Sequence, residues 1–323
     1  MLRNETNIPL SMAVWLATDF YDHDDDPNTI SVTALLKPLR SIILGSRIPG
    51  EPEIDLSAQI ASAMGTAIHM NIEEAWNKGD FKKSMQKLGY PDSVINRVRI
   101  NPPNANQENI IPVYMEVRTK KEILGKQISG KFDFVVEGRL ADFKSTSTYT
   151  AIKKSNDLKY IQQGSIYRWL NPDIITQDEM DIVYLFTDWS AIKAKTDKNY
   201  PQSKILVQKF TLMSLIETER FIKNKLNLIA KYIDSSEAEI PLCTKDELWQ
   251  RDPIFKYYKN PAKKSRSTKN FDNIIDANNR LANDGHVGVV DTIPGEVVFC
   301  RYCPAVTNCI QAEGYILSGE LKL

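Results

Sequence analysis

Fifteen residues near the middle of the chain, Gly130 to Lys144 (GKFDFVVEGRLADFK), constrain the fold more than any other stretch. Lys131 to Val136 is a compact β-rich run, Glu137-Gly138 supplies a tight turn, and Arg139 to Lys144 resumes the strand pattern. Alternation along a strand puts Asp142 and Lys144 on one face. If the two runs pair as a hairpin, Asp133 approaches Asp142 on that face. Two neighbouring carboxylates repel unless a cation lies between them. A hard divalent ion such as Mg²⁺ or Mn²⁺ prefers carboxylate oxygens and retains several waters. Such a set suits metal-assisted hydrolysis, with Lys144 orienting a water or offsetting growing negative charge.

The surrounding pattern is mixed. Ser31 to Ile43 reads as a helix with a Ser cap and with Leu35, Leu36 and Leu39 on one face. A second helix runs from about Leu56 to Trp76, with Ile60, Ala63, Met64, Ala67 and Ile68 on an apolar stripe. Tyr21 to Asn28 (acidic) and Asn101 to Asn109 (Pro- and Asn-rich) read as loops. Val113 to Val117 and Ile123 to Ser129 precede the central hairpin as strands. A helix over Asp157 to Leu170, a buried strand over Met180 to Phe186 and a long helix over Leu212 to Ile233 follow. The expectation is an α/β fold with a mixed central sheet flanked by helices. Residues 1–29 form an extension, 30–235 the core, and 236–323 a smaller module.

Lys plus Arg and Asp plus Glu each number 41 in 323 residues, so the net charge is zero. A protein that coats nucleic acid non-specifically is usually basic, whereas an enzyme needs only a local basic track. No run of about eighteen apolar residues is present, and the first residues do not read as a secretion signal. These features place the protein in the cytoplasm. All four cysteines, Cys243, Cys300, Cys303 and Cys309, lie in the last quarter. In that compartment they are better suited to a metal or cluster than to disulfides.

Beyond the hairpin, Met64-Gly-Thr-Ala-Ile-His69 lies on the preceding helix and Gln163-x-x-x-Tyr167 on the following one. In order, G-T-x-x-H, G-x-x-D, D-x-K and Q-x-x-x-Y span Gly65 to Tyr167. The chain here resembles the RecB-like branch of the PD-(D/E)XK nucleases, which includes RecB and AddB nuclease domains, lambda-type exonucleases and CRISPR adaptation nucleases. The resemblance implies a restriction-endonuclease-like core that hydrolyses DNA, linear and double- or single-stranded, with one or two Mg²⁺ or Mn²⁺ ions. It implies an exonuclease of recombination or repair, in a phage-type setting, with a possible recombination partner protein. His69 then matches the metal-coordinating histidine, and Asp133 and Asp142 the acidic ligands. Lys144 matches the catalytic lysine, and the Phe143 carbonyl a further ligand. Gln163 and Tyr167 match the motif that positions DNA, and Glu116 is an accessory acidic group.

Cys300-x2-Cys303-x5-Cys309, followed by Gln311, suits Zn²⁺ or an iron–sulfur cluster. AddB-like and CRISPR-adaptation nucleases end similarly, with a [4Fe-4S] cluster completed by a cysteine near the N-terminus. Here Ser31 to Ile43 has no cysteine, so Cys243 is the remaining fourth ligand, ahead of a short helix with a Thr244–Glu247 capping box. Lys256 to Arg266 interleaves basic and aromatic residues, a pattern that suits phosphate contacts and base stacking. Two other classes remain: a DNA-binding recombination accessory protein without catalysis, and an iron–sulfur or zinc scaffold for protein interaction. RNA is a narrower alternative as substrate.

Overall fold

A computed structural model describes residues 2–20, 26–50, 54–104 and 107–323. Residues 21–25 of the acidic loop and 105–106 of the Pro- and Asn-rich loop lie outside the described residues. In chain order, β1 (Thr29–Ser31) leads to α1 (Leu39–Ser46) and the long α2 (Ile60–Asn77). Strands β2 (Val98–Ile100), β3 (Ile111–Ile123), β4 (Lys126–Val136) and β5 (Arg139–Thr146) follow. Then come α3 (Asp157–Leu170), β6 (Glu179–Phe186), β7 (Ile205–Thr211) and α4 (Leu215–Tyr232). No helix among the described residues is long and apolar enough to cross a membrane.

The fold is mixed α/β. The chain divides into two compact units: residues 1–36 with 51–227, and residues 37–50 with 228–323. The first unit holds a seven-stranded sheet in the order β2-β3-β4-β5-β6-β7, with β1 pairing β4. β3, β4 and β5 are joined antiparallel, β5 and β6 are parallel, and β6 and β7 are antiparallel. The stretch expected as separate strands Ile123–Ser129 and Lys131–Val136 is one strand preceded by a tight turn. Leu124 and Gly125, at φ 51° and 71°, make that turn, the primed geometry of a two-residue hairpin. An apolar Leu in a turn position hides the signal. The Glu137–Gly138 turn has the same character, at φ 48° and 79°.

Gly130 has a packing reason. A Cβ there would lie 2.7 Å from Leu170 Cδ1 and 2.9 Å from Val32 Cγ2, closer than carbon atoms can approach. The sheet therefore needs glycine where α3 crosses it. Alternation is clean in β6, where Met180, Ile182, Tyr184 and Phe186 are buried and the residues between them less so. The strand expected to be buried is fully buried on one face only.

The helix expected over Ser31–Ile43 is two pieces. Ser31 caps a single turn, Val32–Leu35, its hydroxyl accepting from the Ala34 amide. Pro38 then opens α1, since a proline inside a continuous helix loses a hydrogen bond and clashes with the preceding turn. The break separates the two units. Residues 37–50, expected within the core, belong to the second unit, where Leu39, Ile43 and Leu44 of α1 bury against Ile240 and Ala305.

The second unit also contains a small antiparallel sheet, β8 (Ile254–Tyr258), β9 (Lys269–Phe271) and β10 (Val289–Ile293), in the order β9-β8-β10. Helix α5 (Ile274–Asn283) lies between β9 and β10 in sequence, and α6 (Ile310–Leu317) follows the last cysteine. Tyr257 and Tyr258 are buried in β8, and Tyr257 Oη donates to Asp284 at 2.8 Å. The aromatics of the Lys256–Arg266 segment are thus core residues and do not offer stacking faces.

Candidate functional site

The site is built on three neighbouring strands. The β3–β4 register pairs Met115 with Phe134 and Val117 with Phe132, so Glu116 falls opposite Asp133. The β4–β5 ladder ends at Phe134–Ala141, so Asp133 and Asp142 each lie one residue beyond its last pair. Glu116, Asp133 and Asp142 therefore come from three neighbouring strands. Glu116 takes φ 51°, a left-handed conformation that costs an ordinary residue on the order of 1 kcal/mol or more and collects at functional sites.

Helix α2 brings His69 to these strands. It buries no residue fully, yet rests on the sheet through aromatic contacts: Trp76 on Phe134 at 5.5 Å, and His69 edge-on to Phe143 at 5.9 Å. His69 Nε2 lies 3.1 Å from the Phe143 carbonyl. As an N–H donor to that oxygen, it leaves Nδ1 facing Asp133 at 3.5 Å and Glu116 at 3.8 Å. Ligand atoms of His69, Glu116 and Asp133 lie within 4.8 Å of one another, the one such His/Cys/Asp/Glu group among the described residues. Asp142 is outside this set. It is 2% exposed and paired with the Lys144 ammonium.

Each carboxylate of the cluster faces a basic side chain: Glu116 faces Lys131, Asp133 faces His69 and Asp142 faces Lys144. Burial disfavours the His69 imidazolium, but hydrogen bonds to Asp133 and Glu116 and the charge on Asp133 outweigh it, raising the group to about 10. The neighbouring carboxylates thus favour the charged form of the ring. Burial pushes Asp142 up to about 6, against the pull of Lys144 and with the push of Asp133. The buried Oδ2 of Asp142 faces the Lys144 ammonium. Burial likewise raises Asp133, yet its hydrogen bond from His69 and the charges of His69 and Lys144 bring it below its usual value. Asp133 Oδ2 also accepts from the Phe143 amide at 2.8 Å. Three convergent N and O donors, two of them carboxylate oxygens, fit a hard divalent cation. Lys131 holds the other Glu116 oxygen at 2.6 Å.

Gln163 and Tyr167 are one turn apart on α3, and Gln163 Nε2 donates to Tyr167 Oη at 2.8 Å. Tyr167 is 4% exposed; it braces Gln163, which is only half-buried. Tyr160, a turn earlier on α3, presents its ring 5.7 Å from Lys144 Nζ. Sequence reasoning passed over this tyrosine because no local pattern marks it.

In the second unit the four cysteines are free thiols lining one small cavity with Leu248, Val306 and Ala312. Cys243 is tied to the others by Gln311. Its amide donates to Gln311 Oε1 at 2.9 Å, and Gln311 Nε2 donates to its carbonyl at 2.9 Å. Thr244 and Glu247 exchange the hydrogen bonds of a capping box, but they close a turn without a helix behind it. Burial, then the charges of Glu247 and the other cysteines, pushes Cys243 up to about 12; burial with Cys303 and Cys309 brings Cys300 to about 11. No three of the sulfurs lie within 4.8 Å of one another.

No known family profile matches the sequence, and no curated protein matches it. Several solved structures are similar to it. With the crystal structure of SSO0001 it shares 18% identity, covering 64% of this chain and 79% of that one, at a TM-score of 0.39. A phage related exonuclease from Haemophilus somnus 129PT is 20% identical over 40% of this chain and 63% of that one, at 0.26. The alkaline exonuclease LHK-Exo from Laribacter hongkongensis is 12% identical over 64% and 90%, at 0.33. Likenesses this distant carry no functional argument, and the chemistry rests on the residues of the site.

Proposed function

We propose that this chain is a divalent-metal-dependent DNA nuclease of the PD-(D/E)XK type, acting as an exonuclease in recombination or repair. The observation that carries this reading is the convergence of His69, Glu116 and Asp133, with the Asp142–Lys144 pair on the next strand. His69 Nδ1, Glu116 and Asp133 would hold the ion, with Asp142 beside them. A bound Mg²⁺ or Mn²⁺ supplies acidification of water and neutralisation of phosphate charge. The Phe143 carbonyl keeps the imidazole in the tautomer that turns Nδ1 toward the carboxylates, as a supporting hydrogen bond commonly does for a ligating histidine. Lys144, next to the buried Asp142, orients the attacking water and offsets charge developing on the phosphate. Gln163, braced by Tyr167, contacts the DNA.

The cysteines of the second unit would hold a [4Fe-4S] cluster. A tetrahedral Zn²⁺ with Zn–S of about 2.3 Å requires sulfurs about 3.8 Å apart, tighter than any trio here. A cubane cluster spreads its thiolates further. Exposed Lys259, Lys263 and Arg266 between β8 and β9 suit contacts to DNA phosphates.

The test is cleavage of end-labelled linear DNA beside a closed circle, with Mg²⁺, Mn²⁺ or EDTA, and with Lys144→Ala as control. Metal-dependent loss of linear DNA alone, absent in the variant, is expected. Nicking of the circle would make the enzyme an endonuclease. Binding without cleavage of either substrate would sink the catalytic reading.

A further inference from the structure

Two side chains of α1 reach the cysteine cavity from more than two hundred residues upstream. Arg40 is 3% exposed, and a buried guanidinium is costly unless its donors are matched. Its Nε donates to Cys309 Sγ at 3.3 Å. Nη1 donates to the carbonyls of Glu237 and Ile240 at 3.1 and 3.0 Å, and Nη2 pairs with the Glu237 carboxylate. That carboxylate also accepts from the Ile310 amide at 2.8 Å, at the residue after Cys309. The rigid fork is thus held on three sides, and its remaining edge is aimed at a sulfur. Ser41, 4% exposed, puts its hydroxyl 3.3 Å from Cys303 Sγ.

The four sulfurs are therefore unequal. Cys309 and Cys303 have a donor from α1, while Cys243 and Cys300 sit among apolar neighbours. A neutral thiol is a weak acceptor, whereas a thiolate facing a guanidinium makes a charge-assisted bond. α1 itself is fixed by Leu39, Ile43 and Leu44, so the donors are in place before any group binds.

Resting on the reading that the cysteines hold an iron–sulfur cluster, we propose that Arg40 and Ser41 are its positioning residues, hydrogen-bonding the Cys309 and Cys303 thiolates and raising the cluster's reduction potential. Hydrogen bonds to the sulfurs and nearby positive charge stabilise the more negative, reduced cluster. Glu237 neutralises part of the Arg40 charge, so the directed N–H···S bond carries most of the effect.

The experiment uses the full chain purified without oxygen, as wild type, Arg40→Gln, Arg40→Lys and Ser41→Ala. Iron and acid-labile sulfide per chain are measured first. The potential is then followed by electron paramagnetic resonance during titration with dithionite and mediator dyes. All four proteins are expected to carry iron. Arg40→Gln is expected to have the most negative potential, Arg40→Lys an intermediate one, and Ser41→Ala a smaller negative shift. Iron-loaded variants with the wild-type potential would overturn the inference and leave the cluster reading standing. A wild type with zinc and no iron would overturn both. Should Arg40→Gln fail to fold with Glu237 unpaired, Ser41→Ala decides, because it leaves the Arg40 fork intact.

Discussion

Glu116 stands opposite Asp133 across the β3–β4 ladder, with its backbone in the left-handed region at φ 51°. The left-handed φ is a backbone strain, and two facing carboxylates repel unless positive charge lies between them. Glu116→Gly removes the positive-φ cost and the repulsion, against a glycine entropy cost of about 0.5–1 kcal/mol. In EDTA its melting temperature is expected to be no lower than that of wild type. Mn²⁺ should raise it less. A variant that melts well below wild type in EDTA would show that Glu116 serves the fold through Lys131.

Metal binding to the folded chain alone should stabilise it, by about 2.7 kcal/mol at a hundred times the dissociation constant. Thermal unfolding with and without Mn²⁺ reads this directly. Asp133→Asn and His69→Ala are expected to lose the shift. A full shift in either would remove that residue from the ligand set.

Lys144→Ala is expected to lower cleavage by roughly a hundredfold or more, the scale of losing one group that stabilises developing charge. Asp142, already pushed up to about 6, can take a proton once its partner is gone, so far-ultraviolet circular dichroism should be unchanged. Cleavage within a few-fold of wild type would place the catalytic charge elsewhere.

Gly130→Ala puts a methyl 2.7 Å from Leu170. Overpacking of this kind costs about 1–3 kcal/mol, to be read from the urea midpoint at unchanged slope. An unaltered midpoint would mean that α3 can move off the sheet freely.

The exposed basic loop and the buried tyrosines of the second unit should separate experimentally. Lys263→Ala with Arg266→Ala is expected to reduce the slope of log affinity against log salt by about 1.8 for duplex DNA. Tyr257→Phe loses a hydrogen bond to a carboxylate, about 1.5–3 kcal/mol of stability, and should leave that slope alone. A change of slope in Tyr257→Phe instead would restore the aromatic to the DNA surface.

Asp133, Asp142 and Lys144 were readable because a two-residue turn and strand alternation act over a few residues, and those suffice to set one hairpin and its faces. The extents of α2 and α3 and the two-residue spacing of Asp142 and Lys144 follow from the same local rules. Glu116 was visible only as a loose accessory. Its place depends on which strand lies beside β4 and on a left-handed φ that no Glu announces. Pro38 marked a helix break in principle, but the apolar pattern ran on past it.

Hydrophobic burial has no direction, so an apolar face in the sequence does not name its partner. α1 looks the same whether it packs in the first unit or the second; only the assembled chain set it against Ile240 and Ala305 and aimed Arg40 at Cys309. Tyr257 and Tyr258 could equally have been stacking platforms until β9, β10 and Asp284 enclosed them. Turns, caps and alternation were written locally, because steric limits on φ and ψ are local. The grouping of His69 with Glu116 and Asp133 and the neighbours of the cysteines were settled by contacts between residues far apart in the chain.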